Sequence, residues 1–179
     1  MILSKENIAG RKITILGMKK SGYSAALLAS KFGATVFISD SVKDDIVCQN
    51  YEKLKKVDIQ CEIGGHTDEI YESDIWIVSP GIPKDANIIK KAVKLKIPII
   101  GEIEFASRFT KNPIIAVTGS NGKSTTVNMV NEMLNTNKWK PILAGNIGNP
   151  FSKSVLDLFN GDLEGNISVS YTHLRAHET

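Results

Sequence analysis

Short apolar runs alternate with longer stretches in which apolar residues recur at helical spacing, which predicts strands and helices in turn. Residues 12–16, 35–39, 74–78, 97–100, 113–117 and 140–144 read as strands, and 58–63 and 166–170 as two more. Between the first two strands, Ala25, Leu28, Ala29 and Phe32 follow i, i+3, i+4, i+7 and mark an amphipathic helix that Gly33 can end. Residues 43–56 read as a charged surface helix. In the helix over 85–95, Ile88, Ala92 and Leu95 are expected on one face. Gly101 to Ala106 opens a short helix. Val127, Val130 and Leu134 mark another after residue 122, and 151–160 a last one. Repeated β-then-α order argues for an α/β fold with parallel sheets.

The turns carry the candidate chemistry. Residues 17–22 have Gly17 and Gly22 at the outer positions of G-x-G-x-x-G, but Lys19 replaces the middle glycine. Asp40 ends the second strand, roughly 20 residues on, where a Rossmann fingerprint carries its ribose-binding acid. Lys19 keeps a dinucleotide pyrophosphate from lying close. A mononucleotide diphosphate at the helix start, near Lys19 or Lys20, fits the residues, and so does a plain turn. Ser79-Pro80-Gly81-Ile82-Pro83 is a rigid loop after an apolar strand, where ligands gather in open sheets, although Pro-Gly is also ordinary turn chemistry. Gly119-Ser120-Asn121-Gly122-Lys123-Ser124-Thr125 joins a strand to a helix, as a phosphate-binding loop does. It is shorter than G-x-x-x-x-G-K-[ST], with Val117 where the first glycine belongs. In such a loop the backbone amides cup the phosphates, Lys123 reaches the terminal ones and the Ser124 hydroxyl ligates Mg²⁺.

Composition narrows the classes. With 42% hydrophobic and 23% charged residues among 179, the chain reads as globular. A net charge of +3, with lysines spread over helix faces, argues against a nucleic-acid partner. No apolar run nears the roughly 20 residues of a membrane span, and no signal peptide is read at the N-terminus. Cys48 and Cys61 lack metal spacing, and His66 reads as a solvated loop residue. Reduced cysteines and no leader give a cytoplasmic expectation.

Gly17 to Ser24, Ser79-Pro80-Gly81-Ile82, Gly101-Glu102-Ile103-Glu104, Thr118 to Thr125 and Gly145-Asn146-Ile147-Gly148 carry a resemblance. In that order and spacing, the chain resembles the Mur ligase family of peptidoglycan synthesis up to about residue 170, and within it the D-glutamate-adding branch. The resemblance implies a Rossmann-like N-terminal domain for a UDP-sugar over residues 1–100, then the truncated start of a P-loop-type central ATPase domain over 101–170. It implies that Lys20, Ser21 and Gly81 lie at the UDP diphosphate, Asp40 and Ser41 near uracil and ribose, and that Asn146 contacts the UDP substrate. Val42 stands where the family often has a basic residue. Gly119 to Thr125 would hold ATP, with Lys123 catalytic and Ser124 on Mg²⁺. The implied substrates are UDP-N-acetylmuramoyl-L-alanine and D-glutamate, joined through an acyl phosphate, and the full-length protein is expected to be a monomer.

The family's later glutamate, histidine and modified lysine, and its third domain, would lie beyond this stretch, so the chain alone is expected to be inactive. Residues 171–179 resemble translated sequencing-adaptor DNA and are expected to be a non-native tail. The first domain can close its own core, whereas the opening strands of the second leave apolar edges bare, so the second is expected to be the less stable. Rival readings are another Mur-type ligase, a folylpolyglutamate synthase, or a module that binds a nucleotide sugar without catalysis. A dehydrogenase fits less well because of Lys19.

Overall fold

The computed structural model of the chain describes residues 5–145 and 148–171. Five strands, β1 (Lys12–Leu16), β2 (Thr35–Asp40), β3 (Gln60–Ile63), β4 (Ile75–Val78) and β5 (Ile99–Gly101), form a parallel sheet in the order β3-β2-β1-β4-β5. Helices α1 (Lys20–Lys31), α2 (Asp45–Lys55) and α3 (Asn87–Lys94) connect them, with a 3-10 turn at Asp68–Tyr71. Alternation along β1 and β4 feeds two cores. Ile13, Ile15, Ile75 and Ile77 join α1 residues Ala25, Leu28 and Ala29 in one cluster. Leu16 and Trp76 join Ile70, Ile89 and Ala92 in the other. Both faces are thus covered, as a parallel sheet requires. Trp76 is fully buried, and its indole Nε1–H donates to the Ile70 carbonyl at 2.7 Å.

Two expectations are corrected. The strand expected from residue 58 starts at Gln60, because the amides of Val57, Asp58 and Ile59 still bond to carbonyls of Leu54 and Lys55 at the end of α2. On α3 the buried residues are Ile89 and Ala92, while Leu95 is 53% exposed. The helix stops before Leu95, and Lys96 turns the chain at φ +58°.

After β5 come α4 (Glu102–Ser107), β6 (Ile114–Val117), α5 (Lys123–Leu134), β7 (Pro141–Gly145), α6 (Phe151–Asn160) and β8 (Ile167–Tyr171). Here β6, β8 and β7 make a second parallel sheet in that order. Helices α4 and α6 pack back on α1, so Phe105, Ala106, Phe109, Phe151 and Val155 share a cluster with Ala25 and Leu28. Phe32 ends this seam, with ring centroids 5.1 Å from Phe109 and 5.0 Å from Phe159. The second sheet is less covered. Ala116 on β6 is exposed, its neighbours are half-buried, and Met129 and Met133 on α5 are exposed.

Candidate functional site

In the first sheet the chain leaves β1 toward α1 on one side and β4 toward α3 on the other, so a crevice opens at the C-terminal ends of β1 and β4. Open α/β sheets bind ligands there. Lys20 and Ser21 begin α1, and the residue before them, Lys19, leaves the positive end of the helix without a side-chain cap. Gly17, at φ +93°, lies so close to the next loop that a Cβ on it would sit 2.7 Å from Ser79 Oγ. A Cβ on Gly22 would sit 1.8 Å from the Gly17 carbonyl oxygen. These two glycines let β1, α1 and the Ser79 loop touch. Gly81 is exposed, with open space where its Cβ would be.

Asp40 is buried at the end of β2, and both carboxylate oxygens accept backbone bonds, from Met18 N at 2.7 Å and Val42 N at 2.9 Å. The acid therefore braces the first loop from beneath, while the neighbouring Ser41 is exposed. The Asn50 amide steadies the same loop by donating to the Met18 carbonyl at 2.9 Å. Lys19 Nζ lies 2.8 Å from Asp44, which also caps α2 by accepting from Val47 N. The shared hydrogen bond raises the lysine pKa and lowers that of the aspartate.

His66 is not a solvated loop residue. Its Nδ1 lies 2.5 Å from the buried Ser39 hydroxyl, which also reaches Glu62 Oε1 at 2.7 Å. These residues do not form a nucleophilic triad, because the carboxylate meets the serine rather than the histidine, and Ser39 has no exposed surface. Burial pushes the Cys61 thiol up. Among the described residues, no three His, Cys, Asp or Glu side chains cluster as a metal site.

In the second sheet the loop after β6 has Gly119 at φ +145° and Gly122 at φ +75°. A Cβ on Gly122 would meet nothing within 4 Å, and residues 118–122 are exposed. Lys123 opens α5 and is buried, its Nζ donating to the carbonyls of Gly119 and, at 3.0 Å, Ser120. Ser124 and Thr125 follow on the exposed first turn.

The third glycine loop, after β7, differs. Asn146 lies outside the described residues. Gly145 N donates to the Asn149 carbonyl at 2.8 Å, and a Cβ on Gly148 would sit 2.8 Å from the Leu143 carbonyl oxygen. The start of α6 already holds an acidic side chain of the chain's own. Glu102, 3% exposed at the start of α4, accepts from Ser152 N at 2.6 Å. Burial is the larger influence and raises its pKa, while the bonds from Ser152 oppose that. Sequence reasoning named Glu102 only within a family motif and gave it no role, and it missed the Ser39–Glu62–His66 group.

The structure thus gathers Lys20, Ser21, Asp40, Ser41 and Gly81 along one edge of the first sheet, and Gly119 to Thr125 at the corresponding edge of the second. No helix among the described residues is long and apolar enough to cross a membrane.

Residues 12–88 match the MurD N-terminal domain family model. UDP-N-acetylmuramoylalanine–D-glutamate ligase of Chloroherpeton thalassium is 37% identical over 165 residues, which are 90% of this chain and 35% of that protein. The Streptococcus pyogenes ligase of the same name is 41% identical over 160 residues, 87% of this chain and 35% of its own. The chain spans about a third of the length of these curated relatives. Among solved structures, the Neisseria UDP-N-acetylmuramate:L-alanyl-gamma-D-glutamyl-meso-diaminopimelate ligase aligns at TM-score 0.53 with 16% identity, covering 91% of this chain and 52% of that one. UDP-N-acetylmuramate-alanine ligase of Thermotoga maritima aligns at TM-score 0.50 with 24% identity, covering 90% of this chain and 36% of that one. Both share the fold. Over residues 12–88 the chain carries a MurD-type N-terminal domain, and over most of its length it is similar to ligases of the Mur family.

Proposed function

We propose that the chain is part of an ATP-dependent ligase that adds D-glutamate to UDP-N-acetylmuramoyl-L-alanine in peptidoglycan synthesis. One observation carries the reading: a MurD-type first sheet with an open, positive helix start is followed by a second sheet whose glycine loop buries a lysine. Residues 1–100 would hold the UDP substrate and 101–170 would begin the ATP-binding domain. The site residues have separate tasks. Amides at Lys20 and Ser21, with the Lys20 ammonium, would meet the UDP diphosphate, and Gly81 leaves room beside it. Asp40 would act on the nucleoside indirectly, by fixing the Met18 and Val42 amides.

The second loop fits a triphosphate. The space over Gly122 is open, and Lys123 Nζ lies at the carbonyls of Gly119 and Ser120 in the same loop. Ser120, Asn121, Thr125 and the two glycines would supply amides to the phosphates, Lys123 a positive charge, and Ser124 a hydroxyl for Mg²⁺. Bound Mg²⁺–ATP would supply the phosphoryl group that activates the substrate carboxylate. To serve it, Lys123 must leave the Gly119 and Ser120 carbonyls, so its ammonium is stored within reach of the phosphates rather than in solvent.

Calorimetric titration with UDP-N-acetylmuramoyl-L-alanine tests the first half. Saturable binding is expected, and a folded chain that binds none overturns the reading. Lys123→Ala should lower affinity for a non-hydrolysable ATP analogue by about tenfold or more, the value of a charge-assisted bond. It should leave the UDP compound unaffected. Equal loss of both would detach Lys123 from the role given it.

A further inference from the structure

Lys19 occupies a place that helix physics disfavours. It is the residue before α1, with an extended backbone, and it gives the helix no side-chain cap. Ser, Thr, Asn and Asp are preferred there, and a cation opposes the positive helix end. Lys20 adds a second positive charge in the first turn. Instead of serving its own helix, the Lys19 side chain reaches across to the next one. β1 and β2 are neighbours in the sheet, so the loops that follow them lie at the same edge. Asp44 stands before α2, and its two carboxylate oxygens have separate tasks. Oδ1 accepts from Val47 N at 2.9 Å, and Oδ2 lies 2.8 Å from Lys19 Nζ. Asp40 adds its charge to the surroundings of Lys19, but its own oxygens are taken by the Met18 and Val42 amides. The Lys19 and Asp44 side chains are 57% and 37% exposed, so their pairing contributes little to stability.

We propose that Asp44 sets the affinity of the site by competing with the substrate diphosphate for Lys19. The proposal rests on the functional reading above, which puts that diphosphate at the start of α1, and it adds the residue that governs the charge available there. A diphosphate at the amides of Lys20 and Ser21 offers Lys19 an anion beside its own backbone, in place of one on the neighbouring loop. Two anions then contend for a single ammonium, and the work of parting Lys19 from Asp44 is subtracted from binding. Lys19 becomes a second cation for the diphosphate beside Lys20, and Asp44 limits how tightly the diphosphate is held. A pair that merely fastened the two loops would support the site, and its loss would weaken the ligand. A competing carboxylate gives the opposite sign.

The test is calorimetric titration of the full chain with UDP. Asp44→Asn keeps an acceptor for Val47 N and puts an amide group where Oδ2 faces Lys19, so α2 stays capped and only the ion pair is lost. UDP affinity should rise by about threefold to fivefold, the worth of an exposed ion pair. Lys19→Met should lower it by about the same factor. In the Lys19→Met background, Asp44→Asn should leave UDP affinity within about twofold, because the carboxylate has no ammonium left to hold. Asp45→Asn removes an exposed acid from the first turn of the same helix and should also stay within about twofold, which separates competition for Lys19 from a general gain in positive field. An Asp44→Asn chain that binds UDP no more tightly than wild type overturns the proposal, as does an equal gain in the Lys19→Met background. A wild-type chain that binds no UDP overturns the functional reading itself, a result distinct from the others.

Discussion

Two of the glycine loops between a strand and a helix use glycine for different reasons. In the first, Gly17 and Gly22 remove atoms from a crowded joint. A Cβ on Gly22 would lie 1.8 Å from a backbone oxygen that has nowhere to go. In the second, Gly122 has empty space where its Cβ would be, and it is glycine because its backbone turns at φ +75°. The first loop is filled by its own protein, and only the outward amides of α1 remain for a ligand. The second is open at Gly122, with a buried lysine beside it. Glycine thus gives clearance, with a left-handed backbone at Gly17, in one loop and backbone handedness alone at Gly122 in the other.

Substitutions sharpen this contrast. Gly22→Ala should cost ~3 kcal/mol or more, because a backbone clash forces α1 off β1. Urea unfolding followed by tryptophan fluorescence would measure it through Trp76. Gly122→Ala should cost only about 1–2 kcal/mol, the strain of a left-handed alanine with no clash to relieve. If Gly122→Ala proved the more damaging, the second loop would be packed rather than open, and the comparison would fail.

The same distinction explains what could be read in advance. Strands and helices were legible because burial in a parallel sheet writes itself locally, as apolar runs and helical spacing. The strand order β3-β2-β1-β4-β5 was not, since nothing in β1 names β4 as its neighbour. On α3 the pattern offered two adjacent isoleucines, and helical spacing cannot decide which of Ile88 and Ile89 meets the sheet. The glycine loops stood out as loops, yet their difference depends on Ser79 and on the Gly17 carbonyl, which come near only after folding. Asp40 was recognisable as the acid ending β2, but its bond to Met18 N spans 22 residues. Glu102 was least visible. A glutamate at a helix start reads as an exposed residue favoured by the dipole. Its burial is completed by α6, which begins about fifty residues later.

Glu102 also joins the two regions, and its titration gives the smallest and most selective expected effect. Burial raises its pKa above the ordinary 4.5. Between that value and the raised one, the folded chain keeps a proton that the unfolded chain has lost. Stability contributed by this group is therefore complete below pH 4.5 and is lost as pH rises through the folded value. Glutamine has no such proton to lose. The stability of Glu102→Gln relative to wild type should thus increase with pH, and every other titrating group cancels in the difference. Urea midpoints of the two proteins between about pH 4 and 8 would read it. A difference that shrinks with rising pH would mean that the start of α6 stabilises the carboxylate charge more than burial opposes it, and the link between the two sheets would then be held by charge and not by the hydrogen bond alone.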